Sequence, residues 1–161
     1  MDDLSRSRTY AFLLVAAGAV VALDQITKSL ALTALQDGPI DLIGGAVTLN
    51  LTFNPGGAFG LMQGLPGFFL VATLVVIVLI LVWAHKLDDQ RWSIPLGLVL
   101  GGGIGNVIDR IVRDTDGRVV DFIDLHWWPV FNLADASIVV GVAVILLLSS
   151  RPTPRSEASP T

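Results

Sequence analysis

One apolar run constrains the fold of this chain more than any other feature. It extends from Val130 to Leu148, and as a helix its 19 residues would rise roughly 28 Å, close to the thickness of the bilayer hydrocarbon. Such a run predicts a membrane span. Asp135 lies near its start, and an ionisable group inside a span costs about 2.5–3.5 kcal/mol, so it marks a candidate functional site rather than only a satisfied buried carboxyl. Asn132 precedes Asp135 by three positions, which predicts a shared helix face.

Three further apolar runs predict three further spans. The first begins near Tyr10 and continues to Leu35. A signal peptide is the alternative interpretation of this segment, but no convincing small-residue cleavage site follows it. The second run covers about Phe68–Trp83 and the third about Ile94–Ile111. Glycines recur every four residues in the third run and predict a smooth face for close helix packing, formed by Gly97, Gly101 and Gly105.

Composition agrees with a membrane protein and excludes several other classes. Of the 161 residues, 53% are hydrophobic and 15% charged, and the mean hydropathy of +0.71 is above that of a soluble domain. No basic stripe accompanies the net charge of −4, so a nucleic-acid partner is not expected. Cysteine is absent and the two histidines are isolated, so we expect no disulfide, no thiol nucleophile, no metal and no cofactor.

A polar link without lysine or arginine, residues 36–64, joins the first two predicted spans. Apolar and polar residues alternate from Val47 to Asn54, as in a half-buried strand, and the Asn54-Pro55-Gly56-Gly57 sequence ends it as a turn. The predicted fold class is therefore a membrane all-α protein with four transmembrane helices and a small β element in its first outward link. Residues 1–150 would form this domain, and residues 151–161 a disordered cytoplasmic tail.

The positively charged residues predict the orientation in the membrane. Six of the ten lysines and arginines fall in the N-terminal segment, the second link and the tail, so these parts and both termini are expected on the cytoplasmic side. The residues concerned are Arg6, Arg8, Lys86, Arg91, Arg151 and Arg155. Polar residues of the first, third and fourth helices then converge at the outer membrane surface, which indicates a site there. They are Asp24, Gln25, Thr27, Lys28, Asn106, Asp109, Arg110, Asn132 and Asp135.

Paired carboxylates without metal ligands favour peptide hydrolysis. When two aspartates lie close, repulsion and desolvation raise the pKa of one, so one is protonated while the other is ionised. The ionised group can activate water, and the protonated one can donate to a carbonyl oxygen. Lys28, one turn after Asp24, and Arg110, next to Asp109, favour structural ion pairs for these two outward aspartates. The residue pattern alone does not select the reacting pair. The candidates are Asp24, Asp109, Asp121, Asp124 and Asp135.

Five sequence blocks, taken together and in order, resemble lipoprotein signal peptidase, also called signal peptidase II. The blocks are DQITK at 24–28, NPGGAF at 54–59, GGIGNVIDR at 102–110, VVDF at 119–122 and FNLAD at 131–135. The resemblance implies a bacterial inner-membrane aspartic peptidase with its active site on the outward side. Such an enzyme removes the signal peptide of prolipoproteins after diacylglycerol has been attached to the lipobox cysteine.

The same resemblance implies roles for individual residues. Asp121 and Asp135 would form the catalytic dyad, while other motif positions would bind the dyad or the substrate, or shape the pocket and its lid. These supporting positions are Asp24, Lys28, Asn54, Gly56, Asn106, Asp109, Arg110 and Asn132. The implied partners are diacylglyceryl-prolipoproteins, membrane lipids and globomycin-type inhibitors, and we expect a monomer.

Two other functions fit parts of the pattern. In a small proton-coupled transporter or channel subunit, Asp24, Asp109 and Asp135 would form a relay, but the chain lacks the internal repeat of such proteins. In a serine–lysine hydrolase, Ser137 would attack with Lys28 as base. Ser137 is two residues from Asp135, roughly 200° round the helix, and so it is expected to point away from the polar cluster.

Overall fold

The computed structural model describes residues 3–56, 66–84 and 89–150. Its helices are α1 (Asp3–Ala34), α2 (Pro66–Ala84), α3 (Ser93–Ile111) and α4 (Leu133–Ser149), and its strands are β1 (Ile40–Asp41), β2 (Thr48–Asn54) and β3 (Val119–Asp124). The predicted class, a helical membrane protein with a small β element, is confirmed. The predicted tail at 151–161 and the end of the second block, residues 57–59, lie outside the described ranges.

Three helical segments are long and apolar enough to cross a membrane, namely Ser7–Ala34, Gly67–Ala84 and Gln90–Ile111. The fourth helix is also apolar but has only 17 residues. It begins at Leu133, three residues later than the predicted span. Four helices therefore occupy the predicted positions, while the count of four membrane spans stays a prediction.

The central helix is α3, on which α1, α2 and α4 all pack. The predicted glycine face allows this close approach: a Cβ at Gly101 would lie only 2.6 Å from the carbonyl oxygen of Ala17 in α1. On the other side, a Cβ at Gly102 would overlap the carbonyl oxygen of Ala134 in α4. Both helices therefore lie with their backbones against α3, which brings their polar residues within hydrogen-bonding distance of each other.

The strands form one antiparallel sheet in the order β1-β2-β3. The alternation in the first link correctly predicted β2, but the sheet is not confined to that link. Its third strand follows α3, where Val119 and Val120 are buried on pairing with β2. Thr52 pairs with Asp121, so Asn54, two residues further along the same strand face, becomes a diagonal neighbour of Asp121.

The start of α4 differs from the prediction. Asn132 is not on a helix face but is the N-cap, with extended backbone angles (φ −126°, ψ −176°). Its side-chain oxygen accepts a hydrogen bond from the Asp135 amide at 2.9 Å, and the Asp135 carboxylate accepts one from the Asn132 amide at 3.3 Å. The spacing of three residues is that of a capping box, which satisfies amides that the first helical turn leaves free.

Candidate active site

Asp121 lies on β3 with its side chain almost completely buried. Each carboxylate oxygen accepts a hydrogen bond from an asparagine amide: Oδ2 from Asn54 Nδ2 at 2.9 Å, and Oδ1 from Asn132 Nδ2 at 2.6 Å. The two donors come from β2 and from the cap of α4. The sheet and the helix terminus together therefore fix the orientation of this carboxylate.

Asp135 is in the first turn of α4 and is half-buried. Its Oδ1 accepts a hydrogen bond from Asn106 Nδ2 at 2.8 Å, and its Oδ2 accepts one from the Asn132 amide. Asn132 thus contacts both carboxylates, one through its side chain and the other through its backbone. Neither carboxylate forms an ion pair with a lysine or arginine of the described ranges.

The environment of Asp121 favours a shared proton. Burial, and secondly the nearby charge of Asp135, raise the pKa of Asp121 from 3.8 to about 7, although the donors Asn54 and Asn132 partly oppose the shift. Near neutral pH this carboxyl is therefore present in both protonated and ionised forms. A group with this property can accept a proton from water or donate one to a carbonyl oxygen.

Lys28 lies beside this pair, fully buried, and uses its three protons on three different groups. Its Nζ contacts Asp24 Oδ2 at 2.8 Å, Asp109 Oδ2 at 2.8 Å and Asn106 Oδ1 at 3.0 Å. Because the Asn106 oxygen faces Lys28, its NH₂ group faces Asp135. Lys28 thereby orients a donor of the candidate site without contacting either of the two carboxylates.

The carboxylates of Asp24 and Asp109 connect separate elements. Asp24 Oδ1 accepts a hydrogen bond from the Ala134 amide at 3.0 Å, which attaches the start of α4 to α1. Asp109 Oδ2 accepts one from the Val120 amide at 3.0 Å, which attaches β3 to α3. Both carboxylates are ion-paired with Lys28, so one buried ammonium joins α1 to α3.

The structural ion pair expected for Asp24 with Lys28 is present, but the one expected for Asp109 with Arg110 is wrong. Asp109 pairs with Lys28 and, through Oδ1 at 3.1 Å, with Arg113. Consecutive residues on a helix do not face each other, whereas residues four apart do. Arg110 instead donates to the backbone oxygen of Asn106 at 3.2 Å.

Arg110 faces the cavity that opens at Asp135. Its Nε is buried and has no hydrogen-bond partner within the described part of the chain. The cavity has a volume of about 360 Å³ and combines five polar residues with an apolar wall. The polar residues are Asn54, Thr73, Asn106, Arg110 and Asp135. A guanidinium with unused donors beside a carboxylate can hold an acceptor group such as a peptide carbonyl.

Sequence reasoning placed Gln25 among the converging polar residues without giving it a role, and it did not include Arg113. Arg113 Nη2 donates to Gln25 Oε1 at 2.8 Å, and Gln25 Nε2 donates to Asp109 Oδ1 at 3.1 Å. These bonds complete the polar environment of the Lys28 ion pairs. Two signals were available in the sequence: Gln25 lies within the first block, and Arg113 follows Asp109 by four positions.

The alternative hydrolase with Ser137 as nucleophile lacks the required geometry. Ser137 Oγ donates to the Leu133 carbonyl within its own helix at 2.8 Å. The Lys28 ammonium contacts Asp24, Asp109 and Asn106, and no hydrogen bond joins it to Ser137 within the described residues. No group of three or more histidine or acidic side chains in the described ranges is arranged to hold a metal ion.

Two carboxylates that accept hydrogen bonds from amides and lie among apolar helices are typical of a membrane-embedded enzyme with acid–base chemistry. A solved bacterial membrane enzyme, determined by the in meso method at 2.3 Å resolution, has the same fold. Its TM-score is 0.80 at 27% sequence identity, and the match covers 92% of this chain and 94% of that one.

Sequence comparison identifies the family. Residues 16–151 match the model of signal peptidase (SPase) II. The lipoprotein signal peptidase of Rhodococcus jostii is 40% identical over 141 residues, covering 85% of this chain and 71% of the relative. That of Mycobacterium avium is 40% identical over 146 residues, covering 88% and 80%. The chain belongs to the signal peptidase II family of aspartic-type peptidases.

Proposed function

We propose that this chain cleaves the signal peptide from diacylglyceryl-modified prolipoproteins, with Asp121 and Asp135 as its catalytic dyad. Cleavage of prolipoproteins follows from family membership. One observation carries the assignment of the dyad: two aspartates from different elements share Asn132 and receive only neutral donors at their oxygens. A pair without a neutralising cation retains its capacity to exchange protons.

The chemistry needs one proton shared by two carboxyl groups. The ionised carboxylate takes a proton from water as the water oxygen attacks the scissile carbonyl carbon, and the protonated one donates to the carbonyl oxygen. As the C–N bond breaks, the leaving nitrogen takes up a proton from the dyad. The raised pKa of Asp121, about 7, supports this sharing under neutral conditions.

The supporting residues would hold the substrate backbone against the dyad. The unpaired Nε of Arg110 and the Asn106 amide border the cavity at Asp135, and we assign them to the substrate or to the dyad itself. Asn54 Oδ1 accepts a hydrogen bond from the Gly56 amide at 2.8 Å. Gly56 has φ +121°, and a Cβ there would overlap the Phe69 ring, so only glycine fits at this position.

The membrane arrangement is part of the same proposal. The four helices would all span the bacterial inner membrane, with both termini cytoplasmic and the dyad at the outward surface, in a monomer. An apolar cavity of about 330 Å³ beside Asp135 supports access from the lipid. Trp127 and Trp128 line it and are 77% and 47% exposed, as expected of interfacial aromatic side chains. The acyl chains of the substrate, or an inhibitor of the globomycin type, could enter there.

The decisive experiment measures release of the signal peptide from a diacylglyceryl-modified prolipoprotein by the purified protein. Asp121→Asn and Asp135→Asn keep the shape of each side chain but remove its acid, so each should lower the cleavage rate by at least about 10²–10⁴-fold. Asp124→Asn is the matched control, since Asp124 lies on the same strand and is only 17% exposed. EDTA should leave the wild-type rate unchanged.

The possible outcomes separate the two parts of the proposal. Activity in either folded dyad variant would show that the wrong pair has been assigned. Loss of activity in Asp124→Asn to the same extent would remove the special role of Asp121. A wild-type protein that cleaves nothing, in detergent and in lipid vesicles alike, would contradict the proposed activity itself.

A further inference from the structure

Arg113 lies in the turn that joins α3 to β3, two residues beyond the end of α3. Its guanidinium contacts two side chains at once: Nε is 3.1 Å from Asp109 Oδ1, and Nη2 donates to Gln25 Oε1 at 2.8 Å. A planar guanidinium holds two acceptors in a fixed relative geometry, which a lysine ammonium does not. Arg113 therefore fixes how these two side chains lie relative to each other.

Four donors surround the Asp109 carboxylate, two at each oxygen. Arg113 and Gln25 contact Oδ1, each at 3.1 Å. Lys28 Nζ and the Val120 amide contact Oδ2 at 2.8 and 3.0 Å. These contacts occupy the acceptor positions that a carboxylate offers and so fix its rotation. The side chain is fully buried, so the loss of one donor would leave an acceptor position without a partner.

Arg113 also sets the direction of the Gln25 side-chain amide. Because Gln25 Oε1 accepts from Arg113, the NH₂ group of the same amide faces Asp109 Oδ1. That Nε2 also lies 3.1 Å from the Gly105 carbonyl oxygen and 3.1 Å from Asp24 Oδ2. One guanidinium therefore determines both donors at Oδ1 of Asp109, the first by contact and the second by orientation.

The Val120 backbone connects Asp109 to the candidate site. Its amide donates to Asp109 Oδ2, and its carbonyl oxygen accepts from Asn132 Nδ2 at 3.3 Å. The next residue is Asp121, whose Oδ1 accepts from the same Asn132 Nδ2 at 2.6 Å. Val120 is fully buried in close-packed surroundings. A rotation of the Asp109 carboxylate would therefore move the Val120 backbone and displace Asp121 from Asn132.

We propose that Arg113 is a positioning residue for Asp121, acting through the Asp109 carboxylate and the Val120 backbone. The inference rests on the proposed function, in which Asp121 belongs to the catalytic dyad. The described residues that line the cavity at Asp135 include neither Arg113 nor Asp109. Arg113 should therefore affect the reaction step more than substrate binding, because a small displacement of a reacting group lowers the rate.

The test measures kcat and KM for cleavage of a diacylglyceryl-prolipoprotein by three variants. Arg113→Met should lower kcat by about 10–100-fold and leave KM within about twofold of wild type. Arg113→Lys keeps a cation beside Asp109 but not the two-pronged contact, so it should lower kcat by only about two- to fivefold. Arg118→Met is the matched control: Arg118 lies in the same turn but pairs with Asp116, whose side chain is 85% exposed, so both constants should match wild type.

Hydrogen exchange of backbone amides provides a readout that does not depend on activity. In Arg113→Met, the Val120 amide should exchange at least about tenfold faster than in wild type, because its acceptor Asp109 is no longer held in place. The Phe122 amide, which donates to the Phe131 carbonyl oxygen at 3.1 Å, should exchange at its wild-type rate. Equal acceleration at both amides would show a general loosening of the sheet and overturn the positioning role.

The outcomes separate this inference from the proposed function. Full activity in Asp121→Asn would remove Asp121 from the dyad, and the proposed function would fail with it. If Asp121→Asn is inactive while Arg113→Met keeps the wild-type kcat, changes KM alone or loses no more than Arg118→Met, only the positioning role is rejected. If Arg113→Met does not fold in thermal unfolding, Arg113→Lys decides: a wild-type kcat together with wild-type exchange at Val120 would overturn the inference.

Discussion

Two pairs of aspartates lie side by side in this molecule, and they are stabilised in different ways. Asp24 and Asp109 share the buried ammonium of Lys28. Asp121 and Asp135 share Asn132 and receive further bonds from neutral amides only. Asn106 joins the two regions, since it accepts from Lys28 and donates to Asp135.

This difference separates a structural role from a chemical one. The carboxylates of Asp24 and Asp109 contact the buried Lys28 ammonium and also accept hydrogen bonds from the backbone amides of Ala134 and Val120. A buried carboxylate that accepts hydrogen bonds only from neutral amides has a raised pKa, because burial disfavours its ionised form, as for Asp121. The first pair therefore connects elements of the fold, whereas the second has the environment that the proposed proton exchange requires.

The largest effect on stability is expected from Lys28→Met. This change removes the cation but leaves Asp24 and Asp109 buried, and breaking a buried ion pair from one side typically costs about 3–5 kcal/mol. Thermal unfolding in detergent micelles should show a corresponding drop in Tm, together with loss of activity as Asn106 is no longer oriented. An unchanged Tm would contradict the structural role assigned to these ion pairs.

The second prediction concerns the pH dependence of cleavage. Above the pKa of Asp121, about 7, this carboxyl is ionised and has no proton to donate to the carbonyl oxygen. Under the proposed mechanism, kcat/KM should therefore fall on the alkaline side. The Asn54 hydrogen bond lowers that pKa. Its removal in Asn54→Ala should therefore raise the pKa and move the alkaline limb upward, by about one unit for a bond to a charged group.

A pH profile of kcat/KM for both proteins checks this sign. The control is Thr33→Ala, which removes a hydroxyl that donates a hydrogen bond only within α1. Its pH profile of kcat/KM should match that of wild type. A shift of the limb to lower pH in Asn54→Ala would mean that Asn54 does not stabilise the ionised form.

Asp121→Asn is expected to increase the free energy of unfolding slightly, whereas Lys28→Met should lower it. The pKa of Asp121 is above its ordinary value of 3.8, so the folded state binds its proton more tightly than the unfolded state does. This contribution to stability is complete below pH 3.8 and is lost as the pH rises through about 7. The neutral variant should therefore be more stable than wild type at pH 8, by about 1 kcal/mol.

Unfolding curves at pH 4 and pH 8 measure this difference directly. The advantage of Asp121→Asn should be present at pH 8 and absent at pH 4, where the wild-type side chain is also neutral. A loss of stability at pH 8 comparable to that of Lys28→Met would erase the distinction between the two pairs.

Local features of the sequence predicted most of the fold. The lengths of the apolar runs predicted the helices, and glycines four residues apart predicted the packing face of α3. The spacing of Asp24 and Lys28 predicted their ion pair. Each of these depends on residues within one element. The extent of the sheet was not predictable in the same way, because the pairing of β3 with β2 is decided by residues far apart in the chain.

The candidate site was less accessible from residue patterns for the same reason. Asn54 and Asp121, which form one of its hydrogen bonds, are 67 positions apart. The spacing of Asn132 and Asp135 wrongly predicted that both lie on one helix face. An interval of three residues also separates an N-cap from the third residue of its helix, which is the arrangement found. Residue pattern alone left five aspartates open, and only the order of the five motif blocks selected Asp121 and Asp135.

The smallest effect is expected where an ion pair of the same length lies in water. Arg118 contacts Asp116 at 2.8 Å, as Lys28 contacts Asp109, but the Asp116 side chain is 85% exposed. Solvent screens such a pair, so Asp116→Asn should change the free energy of unfolding by less than about 0.5 kcal/mol.

Asparagine also tolerates the left-handed backbone at this position (φ 53°), which keeps the comparison free of backbone strain. The small difference for Asp116→Asn should shrink further at high salt, whereas the large difference for Lys28→Met should not depend on salt. Similar losses in both variants would mean that contact distance, rather than burial, determines how strongly these carboxylates hold the fold.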